Sequence, residues 1–97
     1  MIVELSVIPI GVGESLSKYI AEIIKFFEKK GIKHQITSMG TIFEIEDYVK
    51  LGNILQEINE ILIKLGVGRV YMVTKSDFRL KESSMEGKVK SVMEKLK

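Results

Sequence analysis

Apolar and polar positions alternate from Ile2 to Ile8. Val3, Leu5 and Val7 point one way and Ile2, Glu4, Ser6 and Ile8 the other, which is the period of a β-strand. Pro9 to Gly13 interrupts the pattern, and Ser15 is the predicted N-cap of the next element. From there Leu16, Ile20, Ile23, Ile24 and Phe27 recur at helical spacing, with Lys18, Glu22, Lys25 and Glu28 opposite. Lys29-Lys30-Gly31 closes that helix with cations at its negative pole and a glycine at the cap.

Residues 32–37 and 41–46 read as two short strands joined through Ser38-Met39-Gly40, a hairpin connection. Asp47 is placed to cap a second long helix, along which Leu51, Ile54, Leu55, Ile58, Ile61, Leu62 and Leu65 form a nearly unbroken stripe before Gly66-Val67-Gly68. Residues 69–75 form a fourth strand. Ser83-x-x-Glu86 reads as a capping box for a final short helix whose stripe is Val89, Val92, Met93 and Leu96. Two singly striped helices cover one face of a four-stranded sheet. The right-handed crossover rule then orders the antiparallel strands 4-1-3-2. The expected architecture is α+β: a ferredoxin-like βαββαβ sandwich with an extra C-terminal helix. It leaves a sheet face bearing Ile2, Ile8, Ile42, Tyr71 and Val73 among Glu4, Ser6, Glu44 and Lys75. So apolar a face implies self-association, sheet to sheet or edge to edge.

At 97 residues, with 45% apolar and 29% charged positions, the chain suits one domain, 1–97, with one two-layer core. It has no cysteine, which excludes disulfides, thiolate metal sites and thiol catalysis. No apolar run reaches the ~18 residues of a membrane span, and Met1-Ile2-Val3-Glu4 lacks the basic region of a secretory leader; a cytoplasmic location is expected. The net charge of +2 is too small to argue for nucleic acid, and the basic excess in the tail helix reads as a solvated face. Abundant Lys, Glu and Ile suit a thermophile.

Chemistry-bearing residues are sparse. His34 is the sole histidine and has no carboxylate cluster at ligand spacing, so no metal is expected. Gly11-x-Gly13 has Leu16 where a dinucleotide loop needs its third glycine. Base stacking needs aromatics on the central strands, yet the first has none and the third only Phe43, on the helix side. Ser–His catalysis lacks parts. Glu4 and Glu44 could couple on the open face, although pairing of strand carboxylates with Lys75 or Arg79 is the stronger reading. Strand alternation sends Lys75, Asp77 and Arg79 the same way if the strand persists. They would form either a ligand clamp with Glu44 or an intersubunit ion-pair ladder, and packing alone does not choose.

Several segments together resemble the small thiamine-binding proteins long grouped as DUF77, UPF0045 or YkoF-like. They are Glu4 to Gly11, Ser15-Leu16-Ser17-x-Tyr19-Ile20-Ala21, Met39-Gly40-Thr41-x-x-Glu44, Gly66 to Val70, Lys75-x-Asp77-x-Arg79 and Lys88-Val89-x-Ser91-Val92. The chain departs from the family pattern at Ile45, where a glycine is common, and at Phe78-Arg79, where an acidic–arginine pair is. The resemblance implies the ferredoxin-like fold, homo-oligomers built by sheet association (often tetramers), and binding of thiamine or its hydroxymethylpyrimidine half without catalysis or cofactor. Its implied ligand positions are Ser15, Ser17, Met39, Gly40, Thr41, Glu44, Lys75 and Asp77. A carboxylate at Glu44 and a donor at Thr41 suit an aminopyrimidine edge, with Met39 and Tyr19 as surface for the rings. The expectation is a non-enzymatic small-molecule binder acting as a homo-oligomer, and the alternative is an oligomerisation module with no ligand.

Overall fold

The computed structural model describes residues 1–81 and 84–97. Its elements run β1 (Ile2–Ile10), α1 (Ser17–Lys30), β2 (His34–Ile36), β3 (Thr41–Glu44), α2 (Tyr48–Lys64), β4 (Arg69–Asp77) and α3 (Met85–Lys95). The four strands form one sheet in the order β2-β3-β1-β4, every neighbouring pair antiparallel. This is the expected α+β, ferredoxin-like arrangement.

The core lies between one sheet face and the two long helices. Val3, Leu5 and Val7 of β1 and Phe43 of β3 meet Ile23, Phe26 and Phe27 of α1 and Leu51, Ile54, Ile58 and Leu62 of α2. Phe27 is fully buried, its ring centroid 4.9 Å from Phe43 and 5.4 Å from His34. The His34 ring is thus a packing surface, and its Nδ1 lies 2.8 Å from the Ile32 carbonyl oxygen. Tyr19 is also buried in this core. Asp47 caps α2 as expected, accepting from the Lys50 amide at 2.8 Å. Gly31 closes α1 in the left-handed region, φ 68°, where a side chain would be strained.

Several element ends differ from the expectations. The α1 N-cap is Leu16, with no side-chain cap bond, so Ser15 does not cap the helix. β2 and β3 are shorter than the sequence suggests, and β4 extends to Asp77. Ser83 lies outside the described residues; the observed α3 cap is Ser84, whose Oγ accepts from the Gly87 amide at 2.9 Å.

β1 does not stop at Pro9 but continues to Ile10, paired throughout with β4. The reason is visible in the ladder. β3 pairs with β1 only from Ile2↔Glu44 to Leu5↔Thr41, and Ile45 N–H donates to the Met1 carbonyl at 3.0 Å. Odd-numbered β1 residues therefore turn their peptide groups toward β3, because both groups of a residue point to one side and alternate along a strand. At Pro9 β3 has already ended, so the missing N–H faces an open edge and costs the sheet nothing.

The second sheet face is covered at one end only. The first turns of α3 lie over Ile2, Gln35 and Ile42, enclosing a groove of about 550 Å³. Ile8, Tyr71 and Val73 beyond it remain exposed, as do Val89, Val92, Met93 and Leu96 of α3. None of the α3 residues is buried. No helix among the described residues is long and apolar enough to cross a membrane.

Candidate functional site

The site begins with a mismatch in strand length. β1 runs five residues past its last partner on β3, and the β2–β3 hairpin folds back beside the uncovered stretch. Thr37 sets that hairpin. Its Oγ1 donates to the Gly40 carbonyl at 2.9 Å and accepts from the amides of Met39 (3.2 Å) and Gly40 (3.1 Å), while its own amide donates to the Gly40 carbonyl at 2.8 Å. A hydroxyl that satisfies a turn's backbone in this way stiffens it.

The hairpin, the free β1 edge and the start of α1 enclose a cleft of about 240 Å³. Leu5, Val7, Leu16, Ile20, Ile23 and Ile36 supply apolar wall, and Thr37, Ser38 and Thr41 supply hydroxyls; Ser6 borders the cleft as well, although its side chain alternates to the other sheet face. No ionisable side chain lines it among the described residues. Thr41 is 7% exposed at its base, whereas Met39 stands 81% exposed at its rim. Mostly apolar walls with a few convergent polar groups are the usual make-up of a small-molecule pocket.

The eight residues singled out from sequence do not share one cavity. Met39, Gly40 and Thr41 line the cleft. Ser15 and Ser17, their Oγ atoms 3.4 Å apart, flank Leu16, which also lines it. The other three lie on the opposite sheet face. Lys75 stands across from Glu4 and pairs with it at 3.7 Å. Asp77 pairs with Lys88 of α3. Glu44 accepts from the Met85 amide at 3.2 Å and lies 3.4 Å from the Lys33 Nζ. Because β4 ends at Asp77, Arg79 does not join Lys75 and Asp77 on one rim; it sits in a separate hollow with Lys33, Glu44 and Glu46. Tyr19, expected to offer ring surface, is in the core and not in the cleft wall.

Glu44 and Asp77 thus belong to an attachment point for α3. Lys33 reaches Glu86 at 2.5 Å as well as Glu44. The hydrogen bond to Glu86, then Glu44, raises the Lys33 ammonium above its ordinary value against some desolvation, and the same bond holds Glu86 below the usual carboxylate range. With no apolar residue of α3 buried, these charges dock its first turn.

Sequence reasoning missed the cleft's β1 edge and its α1 wall. The signal available was Pro9 inside an otherwise regular strand, which marks an edge.

The model of the family described as Thiamine-binding protein matches residues 3–93. A UPF0045 protein of Methanothermobacter thermautotrophicus is 36% identical over 95 residues, covering 96% of each chain. Among solved structures, a hypothetical protein of Methanocaldococcus jannaschii superposes with a TM-score of 0.81 at 32% identity, over 96% of this chain and 95% of that one. A Thermotoga maritima protein described as a candidate thiamine biosynthesis/salvage protein gives a TM-score of 0.79 over 94% and 96% of the two chains; at 19% identity the likeness is one of fold.

Proposed function

Since this chain belongs to the thiamine-binding protein family, we propose that it is a cytoplasmic, non-catalytic binder of thiamine or of its hydroxymethylpyrimidine half, working as a homo-oligomer. The observation that carries the reading is the cleft between the β1 edge and the Thr37–Thr41 hairpin. Its volume of about 240 Å³ suits one or two small rings. Its hydroxyls can pair with ring nitrogens and an amine, and its aliphatic walls suit the ring faces. The stacked, carbonyl-bonded His34 favours a binder over a hydrolase, since its ring is committed to packing.

Self-association is supported by exposed apolar surface. Ile8, Tyr71 and Val73 on the sheet and Val89, Val92, Met93 and Leu96 on α3 lie uncovered in the protomer. A standard interface takes on the order of 800 Å² from each partner, and uncovered apolar residues of this kind make up its centre. A symmetric dimer or tetramer would cover them. The same surface favours the second reading, an assembly module without a ligand.

Titration calorimetry with thiamine and with the free pyrimidine separates the two. The binder reading expects saturable heat with at least one of them. It also expects binding at least tenfold weaker in Thr41→Val, with the fold intact by circular dichroism, and little change in Lys75→Ala on the far face. Absence of binding to both compounds by an assembled, folded protein would leave the assembly module.

A further inference from the structure

We infer that Met39 is an oxidation site that turns the cleft against its ligand: a peroxide converts its thioether to the sulfoxide, and the polar rim that results weakens binding. This rests on the proposed binding function and adds a regulation of the same site, whichever ring compound occupies it.

The chain has five methionines and no cysteine, so thioethers are the only sulfur an oxidant meets. Met1, Met72 and Met85 are half-buried, whereas Met39 is 81% and Met93 56% exposed. A peroxide must reach the sulfur lone pair, so access orders the rates and puts Met39 first. Met93 belongs to α3, over the opposite sheet face, and its oxidation does not touch the cleft.

The backbone around Met39 makes it a control point. Its amide donates to Thr37 Oγ1 at 3.2 Å. The next residue, Gly40, packs so closely on β1 that a Cβ would lie 2.7 Å from the Leu5 carbonyl oxygen. Held at these two points, the hairpin keeps Met39 on the cleft wall beside Ile36, which is also exposed. The reduced thioether is apolar and polarizable, a suitable surface for a ring.

With hydrogen peroxide, the sulfur lone pair forms the S–O bond as the O–O bond breaks. Sulfur is oxidised by two electrons and the peroxide reduced by two; the departing hydroxide takes the proton of the transferred hydroxyl and leaves as water. The sulfoxide carries a strong S–O dipole that resists desolvation. A ring seated in the mouth strips water from it. No charged donor lines the cleft among the described residues to replace that water, and the Thr37 hydroxyl is already donated to the Gly40 carbonyl. Having no thiol, the chain cannot reverse the step itself. A sulfoxide reductase does so with an external dithiol, which becomes a disulfide as the oxygen leaves as water.

The test treats the full chain with graded hydrogen peroxide and maps each methionine by peptide mass spectrometry. Treated and untreated samples, their folds compared by circular dichroism, are titrated with thiamine and with the free pyrimidine by calorimetry. The expected result is one oxygen gained at Met39 ahead of Met1, Met72 and Met85. Affinity should fall in step with it by about tenfold, the effect of desolvating one polar group. Methionine sulfoxide reductase with dithiothreitol should restore it. Met39→Leu, compared with its own untreated state, should keep its affinity through the treatment; if that variant binds too weakly to titrate, reversal by the reductase decides. Three outcomes overturn the inference and leave the binding function standing: affinity that holds with Met39 oxidised, affinity that falls equally in Met39→Leu, or Met39 oxidised no faster than the half-buried methionines. If untreated protein binds neither compound, both fall together.

Discussion

Gly40 sits so close to the Leu5 carbonyl that a Cβ on it would come within 2.7 Å of that oxygen. The contact joins the tip of the β2–β3 hairpin to the strand that forms the back of the cleft. The obstacle is backbone on both sides, so it cannot move aside like a flexible side chain. Gly40→Ala is expected to push the hairpin off β1 and lower stability by about 1–3 kcal/mol. Urea unfolding measures the loss, and calorimetry should show weakened ligand binding in the variant that remains folded. A stable Gly40→Ala protein with unchanged affinity would mean that the hairpin does not shape the site.

Phe27 is the packing centre of the fold, fully buried and in ring contact with Phe26, Phe43 and His34. Phe27→Ala removes the ring and leaves a cavity that the sheet cannot collapse into. The expected cost is about 3–5 kcal/mol, read from the denaturant midpoint at constant slope. Phe27→Leu should recover most of it.

Docking of α3 depends on charge and therefore on pH. Lys33 is raised by its hydrogen bond to Glu86, so its contribution is full below the ordinary lysine value and is lost as pH rises through the folded value. Glu86 is lowered, first by Lys33 and then by its own amide. Its contribution is full above the ordinary glutamate value and is lost as pH falls through the folded one. Glu44, Asp77 and Lys88 face the same junction. Amide exchange in α3 should be slowest between those limits and faster at both extremes, in high salt, and in Lys33→Ala at neutral pH. Global stability should change little, because exposed ion pairs contribute little to it. Protection of α3 that ignores pH and salt would show that something other than charge holds it.

The exposed sheet face sets the last expectation. Tyr71 lies across from Ile8 and Val73 across from Ser6 in the β1–β4 ladder, forming the middle of the uncovered apolar area. Replacing both Tyr71 and Val73 by lysine puts charge where a second copy would dock. Light scattering after size exclusion should then report a monomer, against a dimer or tetramer for the unaltered protein. A monomer in both cases removes the assembly from the proposed function.

How far the chain discloses itself depends on what sets each feature. Helix and strand identity, and the sheet order, were legible because hydrophobic period reports which side of each element is buried. The crossover rule then leaves few ways to join the elements. Val3, Leu5, Val7 and Phe43 face the helices as their alternation requires, and Asp47 caps α2 for purely local reasons. The site was not legible to the same degree. Glu44 and Thr41 are three residues apart on one short strand, yet Glu44 turns to α3 while Thr41 lies at the base of the cleft on the other sheet face. Lys75 and Arg79 separate because β4 ends between them. Residue spacing within a strand constrains faces, but strand lengths and register decide which polar groups meet, and those follow from pairing with other strands. Tertiary structure alone let β1 outrun β3, carried Pro9 into the sheet at an open edge, and left Val7 on the wall of a cavity.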